Sequence, residues 1–277
     1  MKLVYCLVTF NRLEYLKKHI ITWDETRDKN HNWVLFIADD GSDDGTQEYL
    51  KNLNIDGIQI QFFFNKRRGV HYQVNQLLKL SSNVDFDLGF MAEDDIYFIQ
   101  SGWDNLYAQA VKFSGFDFLC YFNKTWADKH GKSQHVRETC LYDPQKKIQS
   151  QVIAYNSFGC FWTFTKKLIQ EVGYFDSINF GVWGNGHTDY ALRCCRVGFN
   201  RNDALFDLYE SEKYITMQDE DYKCAFHRRN NPDPGLIGVP NPGHKGITLD
   251  RSDRKYISYN ESPFDMLGGK VDEKVHC

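Results

Sequence analysis

The first hundred residues of this 277-residue chain switch repeatedly between short apolar runs and helically spaced segments, and that alternation limits the fold more than any other feature. Leu3 to Thr9 has the length and composition of a buried strand, and Leu13 to about Thr26 sets Leu13, Leu16, Ile20 and Trp23 at helical spacing. Trp33 to Ala38 reads as a second strand, and Thr46 to Leu53 as a helix that Ser42, Asp43 or Asp44 can cap. Ile58 to Phe64 is a third strand, Val70 to Leu80 a helix, and Leu88 to Met91 a fourth strand running into Glu93-Asp94-Asp95. Strands that alternate with helices pair in parallel through right-handed crossovers, with helices on both faces and ligands at the strands' carboxyl ends. The expected class is α/β, with a mostly parallel central sheet flanked by helices.

Beyond Trp103 to Phe113 (a helix) and Phe116 to Phe122 (a strand) the pattern loosens. His135 to Tyr142 and Ile148 to Tyr155 form two antiparallel strands around Asp143-Pro144, and Thr165 to Val172 and Thr188 to Val197 read as helices. The chain after Tyr222 is rich in proline, glycine and charge, and reads as a tail that wraps the domain or closes over its site.

The acid cluster is the first chemical signal. Three adjacent carboxylates repel one another and resist desolvation unless a cation or hydrogen-bond donors compensate. At a strand end they suit a hard divalent cation, Mg²⁺ or Mn²⁺, held between one or two carboxylates and substrate phosphates. A solvated acidic turn is the alternative. Three more polar segments fall on the same rim of a parallel sheet. Thr9 and Asn11-Arg12 follow the first strand, Asp39-Asp40-Gly41-Ser42 the second, and Asn65-Lys66-Arg67-Arg68-Gly69 the third. Singly, each reads equally as turn and capping chemistry or as a solvated basic loop. Together they offer a nucleotide what it needs: carboxylates and carbonyls for base and ribose, arginine for phosphate, a metal for the diphosphate.

Bulk properties remove some other classes. A net charge of −4 gives no global field for nucleic acid or acidic membrane. The eight cysteines form no Cys-x-x-Cys pair and no zinc spacing, which suits reduced thiols in a cytosolic compartment. No apolar run approaches a membrane span, so any membrane contact is expected to be peripheral. The apolar start Leu3 to Val8 is too short for a signal peptide and reads as the first strand.

The motifs, in their order, resemble a known family. Val8-Thr9-Phe10-Asn11-Arg12, the run Asp39-Asp40-Gly41-Ser42-Asp43-Asp44-Gly45-Thr46, and Asn65 with Gly69 and Asn75 resemble family 2 glycosyltransferases of the GT-A fold. The acid cluster is similar to that fold's Asp-x-Asp motif. Gly159-Cys160-Phe161-Trp162 through Asp176, then Trp183-Gly184-Asn185-Gly186-His187-Thr188-Asp189 to Arg193, is similar to the family's acceptor-side region. The resemblance spans about Met1 to Phe199. It implies a Rossmann-like GT-A domain over 1–222, with a nucleotide-sugar half (1–113), an acceptor-side half (114–222) bearing a small antiparallel extension, and a tail over 223–277.

Carried across by position, the resemblance implies that Thr9, Asn11 and Arg12 line the base pocket and that Asp39 or Asp40 accepts from base or ribose. Arg68 would meet the diphosphate, Glu93 would face the ribose or the metal with Asp94 beside it, and Asp95 would ligate Mn²⁺ or Mg²⁺. Asp189 would be the general base, His187 structural or acceptor-facing, and Trp183 a platform for a sugar ring or a core residue. His227 or His244 would be a further metal ligand. Glu93 replaces the first Asp of Asp-x-Asp, and Thr188 replaces the first acid of the acceptor-side pair, which leaves the acceptor class open among glycan, lipid-linked sugar, protein and modified nucleic-acid base. The implied activity is metal-dependent, inverting transfer from a nucleotide-diphosphate sugar, UDP-linked as first choice, to an acceptor hydroxyl. A nucleotidyltransferase would carry a glycine-rich phosphate loop where this chain has Thr9-Phe10-Asn11-Arg12. A non-catalytic binding protein would have no use for Asp95 and Asp189.

Overall fold

Leu3 to Val8 becomes the central strand of the protein because both of its faces find apolar partners. In the computed structural model, which describes residues 1–123, 125, 128, 136–143, 148–154, 159–177, 186–200, 205–218 and 255–259, strand β1 (Lys2–Thr9) is buried at every position after Lys2. Helix α1 (Leu13–Thr26), β2 (Asn32–Asp39), α2 (Thr46–Lys51), β3 (Gln59–Phe64), α3 (Val70–Ser82) and β4 (Leu88–Glu93) follow in turn. Next come β5 (Ile96–Phe98), α4 (Trp103–Ser114), β6 (Val136–Asp143), β7 (Ile148–Ala154) and β8 (Phe161–Phe164). The last elements are α5 (Lys166–Val172), α6 (Gly186–Arg196), β9 (Leu205–Leu208) and β10 (Ile215–Met217).

The main sheet has the order β3-β2-β1-β4-β8, parallel except for β8, which pairs antiparallel with β4. The period-2 alternation of β1 divides the core in two. Leu3, Tyr5 and Leu7 face Leu16, Ile20 and Trp23 of α1 and Trp103 and Tyr107 of α4. Val4, Cys6 and Val8 face Val74, Leu77 and Leu78 of α3, Leu168 of α5 and Tyr190 of α6. Helices therefore cover both faces, as a parallel sheet requires. The ladder pairs Thr9 with Asp39, Asp39 with Phe64 and Val8 with Glu93, so the polar segments that follow these strands leave along one rim.

Local sequence and structure part company where pairing is short. Phe116 to Phe122 has strand composition but forms only an isolated bridge, Cys120 to Trp162. Its donors are divided among competing partners: Leu119 N–H goes to the Thr163 hydroxyl and Cys120 N–H to the Phe206 carbonyl. The expected antiparallel pair, β6 and β7, forms and is extended by β9. Strands β5, β8 and β10, of three, four and three residues, carry too few positions to show a period. Instead of leading into a helix, the acid cluster turns from β4 into β5, and β10 pairs antiparallel with β5.

Residues 255–259 return to the domain beside α5. Ile257 N–H donates to the Val172 carbonyl (3.2 Å), and Tyr174 N–H donates to the Ile257 carbonyl (3.0 Å). Gly173 sits between them at φ +75°, where a Cβ would stand 1.9 Å from the Ile257 oxygen, so only glycine allows this approach. Cys6, Cys120, Cys160, Cys194 and Cys195 are buried thiols outside any disulfide. Among the described residues no helix is long and apolar enough to cross a membrane.

One buried acid lies outside the rim. Asp207 on β9 accepts from the Tyr107 hydroxyl (2.7 Å), the Ser211 hydroxyl (2.5 Å) and Phe122 N–H (3.0 Å). Burial pushes its carboxyl from 3.8 up to about 7, against the pull of these donors. The folded protein then holds this proton over a range where the unfolded chain has lost it, so the stability linked to Asp207 falls as pH rises through that window. Urea unfolding of the wild type at pH 5 and pH 8 should show this loss, and Asp207→Asn should flatten it.

Candidate active site

The acidic turn is built around a carboxylate that is out of water. Asp94 is fully buried; Thr9 Oγ1 donates to its Oδ2 (2.6 Å) and the Arg12 guanidinium pairs with its Oδ1. The same guanidinium lies 3.6 Å from Asp95 Oδ2. A desolvated charge needs such partners, so Thr9 and Arg12 are the clamp that lets the turn form. Asp95 is held much more loosely. Its side chain is 20% exposed, and its Oδ1 is buried with no hydrogen-bond partner. Glu93 ends β4, half-buried, with its N–H on the Cys160 carbonyl (2.9 Å).

Asn11 stitches the first rim loop to the second. It adopts φ +47°, a region asparagine tolerates, and its Oδ1 accepts from Asp43 N–H while its own N–H donates to Ser42 Oγ (both 2.8 Å). Asp39 and Asp40 are likewise buried and occupied. Asp39 accepts from the Ser42 hydroxyl, Ser42 N–H and Gln47 Nε2 (2.8 Å). Asp40 accepts from the Arg67 guanidinium, Arg68 N–H (2.7 Å), Gly69 N–H (2.8 Å) and Gln73 Nε2 (2.6 Å). Burial raises both carboxyls, opposed at Asp39 chiefly by the Ser42 hydroxyl and at Asp40 chiefly by the Arg67 charge. Arg67 also lies over the Phe10 ring (3.5 Å), which joins the third loop to the first. Arg68 stands over Tyr72 (4.6 Å) with its Nη1 buried and without a hydrogen-bond partner.

The stretch from Gly159 to Arg193 reaches the rim through its contact with the start of α3. The His71 ring at the start of α3 packs against Gly186 so closely that a Cβ there would come within 2.4 Å of it. His187 is half-buried against Gly159. Asp189 is buried and accepts from Arg193 Nε (2.8 Å). Arg193 is fully buried and donates through Nη1 to the Val172 carbonyl and through Nη2 to the Tyr174 carbonyl (both 2.7 Å). Trp183, His227 and His244 lie outside the described residues.

A divalent cation fits this donor set in one specific way. Among the described residues no group of three or more His, Cys, Asp or Glu side chains could hold a metal unaided. Asp95 Oδ1, an oxygen without a partner at a strand end, is what a cation shared with substrate phosphates would use, since Mg²⁺ and Mn²⁺ commonly take one or two carboxylates and complete their shell from phosphate and water. His71, Gln73 and Gln218 are site-building residues that sequence reasoning did not single out. Gln73 could have been found, four residues after Gly69 on the helix that the third loop opens. Nothing local marks Gln218.

Residues 5–172 match the family model described as glycosyl transferase family 2. The "Uncharacterized glycosyltransferase R363" of Acanthamoeba polyphaga mimivirus is 28% identical over 191 residues, covering 68% of each chain. The mannosyltransferase PcManGT from Pyrobaculum calidifontis, solved with GDP-Man and Mn²⁺, superposes with a TM-score of 0.51 at 14% identity, covering 71% of this chain and 52% of that one. GalNAc-T7, solved with UDP, GalNAc and Mn²⁺, gives 0.53 at 11% identity, over 75% of this chain and 42% of that one. This chain thus spans about half the length of those solved structures, and the likeness to them is one of fold.

The division of labour among the rim acids has a measurable consequence. Asp40→Ala strands a half-buried guanidinium, two backbone N–H groups and an amide, and should cost about 3 kcal/mol in urea unfolding. Asp95→Ala removes a carboxylate oxygen that nothing satisfies, and should change stability by less than about 1 kcal/mol.

Proposed function

The chain belongs to glycosyl transferase family 2 and has the GT-A fold, and from that premise we propose that it moves a sugar from a nucleoside-diphosphate donor, UDP-linked, to an acceptor hydroxyl with a divalent cation and inversion of configuration. The observation that carries this reading is a pair of uncommitted groups on two loops of one rim, those after β3 and β4. Asp95 Oδ1 is a buried acceptor without a donor, and Arg68 Nη1 a buried donor without an acceptor. A cation on the first and a diphosphate on the second complete both. The Mn²⁺ and nucleotide-bearing complexes of PcManGT and GalNAc-T7 support the same assignment.

Asp95 with Glu93 would hold the cation, and His227 would add a ligand from the C-terminal region. The bound ion would supply charge neutralisation for the departing diphosphate. Arg68 would pair with the same phosphates, its guanidinium kept in place by Tyr72. Thr9, Asn11, Arg12, Asp39 and Asp40 would shape the nucleotide pocket. The carboxylates of Asp39, Asp40 and Asp94 are engaged within the protein, so their contribution is to fix the loop backbones that meet base and ribose.

On the acceptor side Asp189 would take the proton of the attacking hydroxyl as its oxygen bonds to the anomeric carbon and the carbon–diphosphate bond breaks on the opposite face. Arg193 holds one carboxylate oxygen and thereby orients the other. His187 and Trp183 would flank the acceptor sugar. The buried thiols suit work in a reducing compartment.

Two measurements test this reading. Asp95→Asn should stay folded and lose Mn²⁺ binding, seen by electron paramagnetic resonance with UDP present, along with most transferase activity; full activity in a chelator would overturn the assignment. Asp189→Asn breaks a buried ion pair and should lose stability, so kcat must be taken per folded molecule. On that basis kcat should fall by about 10²- to 10⁴-fold with donor binding retained. NMR of the new linkage should show the inverted anomer.

A further inference from the structure

The backbone of the acidic turn is gripped from outside at three consecutive carbonyls, and one residue supplies most of the grip. Gln218 N–H donates to the Asp95 carbonyl (2.6 Å). Its side-chain Nε2 lies 2.9 Å from the Asp94 carbonyl, 3.1 Å from that of Ile96 and 2.8 Å from that of Tyr15 in α1. His19 donates from Nδ1 to the Ile96 carbonyl as well (2.8 Å). That carbonyl can only accept, so Nδ1 carries the proton and Nε2 accepts from the Tyr5 hydroxyl (2.7 Å). Burial holds His19 down to about 4, so the neutral ring is the working form at ordinary pH. Gln218 is itself fixed by the β5–β10 pairing, in which Met217 stands opposite Ile96.

A side-chain amide has two N–H donors, and here both are used on three acceptors at once, a geometry that leaves it no alternative orientation. The peptide planes on either side of Asp95 are thereby fixed, and with them the direction of its side chain. The carboxylate at the end of that side chain is the one group of the turn left loosely held, with Oδ1 unpartnered and Oδ2 only 3.6 Å from Arg12. A turn that served only to connect β4 to β5 would not need its backbone held so firmly while one of its acids stays uncommitted. We infer that Gln218 is a positioning residue that sets Asp95 for its cation and couples the end of β10 to the occupancy of that site. The inference rests on the reading of Asp95 as a cation ligand.

Gln218→Met keeps the length and bulk of the side chain and removes both donors, and Gln218→Ala leaves space for water to replace them. With UDP present, Mn²⁺ affinity measured by electron paramagnetic resonance should weaken by about 10- to 100-fold in Gln218→Met, the range seen when a group orienting a metal ligand is lost. Its kcat should return towards the wild-type value at saturating Mn²⁺, a rescue that a merely destabilised protein would not show. Coupling is reciprocal, so in the wild type Mn²⁺ with UDP should slow hydrogen exchange at the Gln218 amide, a readout that needs no variant to fold. Unchanged Mn²⁺ affinity in both folded variants, or unchanged exchange, overturns the role of Gln218 while Asp95→Asn still loses the metal. If Asp95→Asn binds Mn²⁺ as well as the wild type, the reading of Asp95 fails, and the inference with it.

Discussion

The Asp94 carboxylate, sealed from water between Thr9 and Arg12, is the interaction on which the rest of the site depends. A buried anion is tolerated only while its donors are present, and here both donors come from the end of β1. The pairing therefore pulls the β1 loop and the β4–β5 turn together across the edge-on view of the sheet. With Asp94 absorbed in this way, the Arg12 charge is largely spent on it, and the part-buried Asp95 is left with little to satisfy it. The turn divides its acids by burial: one holds the structure, and its neighbour keeps a carboxylate oxygen without a partner.

The same logic repeats one strand over. Asp40 collects Arg67, two backbone N–H groups and Gln73, and in doing so folds the Asn65–Gly69 loop back onto the end of β2. Gly41 permits that approach, because a Cβ there would stand 3.0 Å from Arg67 N at a φ of +82°. Arg67 is consumed by Asp40 and Phe10, whereas Arg68, its neighbour, keeps a buried nitrogen without a partner. Two adjacent acids and two adjacent arginines thus differ in role through what each one touches. Buried carboxylates are how these loops hold their charged side chains and backbone in one arrangement.

Helix α6 is fastened by a different device. Arg193 reads the carbonyls on either side of Gly173, and residues 255–259 pair with the same short stretch. Asp189 balances that buried cation. The segment that would hold the attacking hydroxyl is in this way tied to α5 and to the returning chain, while the His71–Gly186 contact ties it to the loop bearing Arg68. Gln218 closes the circuit at the acidic turn. The rim and α6 are joined by contacts among buried groups.

Local pattern alone determined the strand–helix alternation, the parallel sheet and the set of polar segments at its carboxyl rim, because apolar periodicity and capping chemistry act over a few residues and leave their mark in the sequence. The motifs Val8–Arg12, Asp39–Thr46 and Glu93–Asp95 likewise pointed to the family without any coordinates. Which acid would be clamped and which left with an unpartnered oxygen was not legible, since Asp94 and Asp95 are neighbours of the same type and their difference is made by Thr9 and Arg12, with Thr9 standing 85 residues away from Asp94. The grip of Gln218 on the turn, across a separation of 124 residues, and the three- and four-residue strands β5, β8 and β10 were equally beyond reach. Burial and hydrogen-bond partnership are properties of how distant segments meet, and only the packed chain decides them.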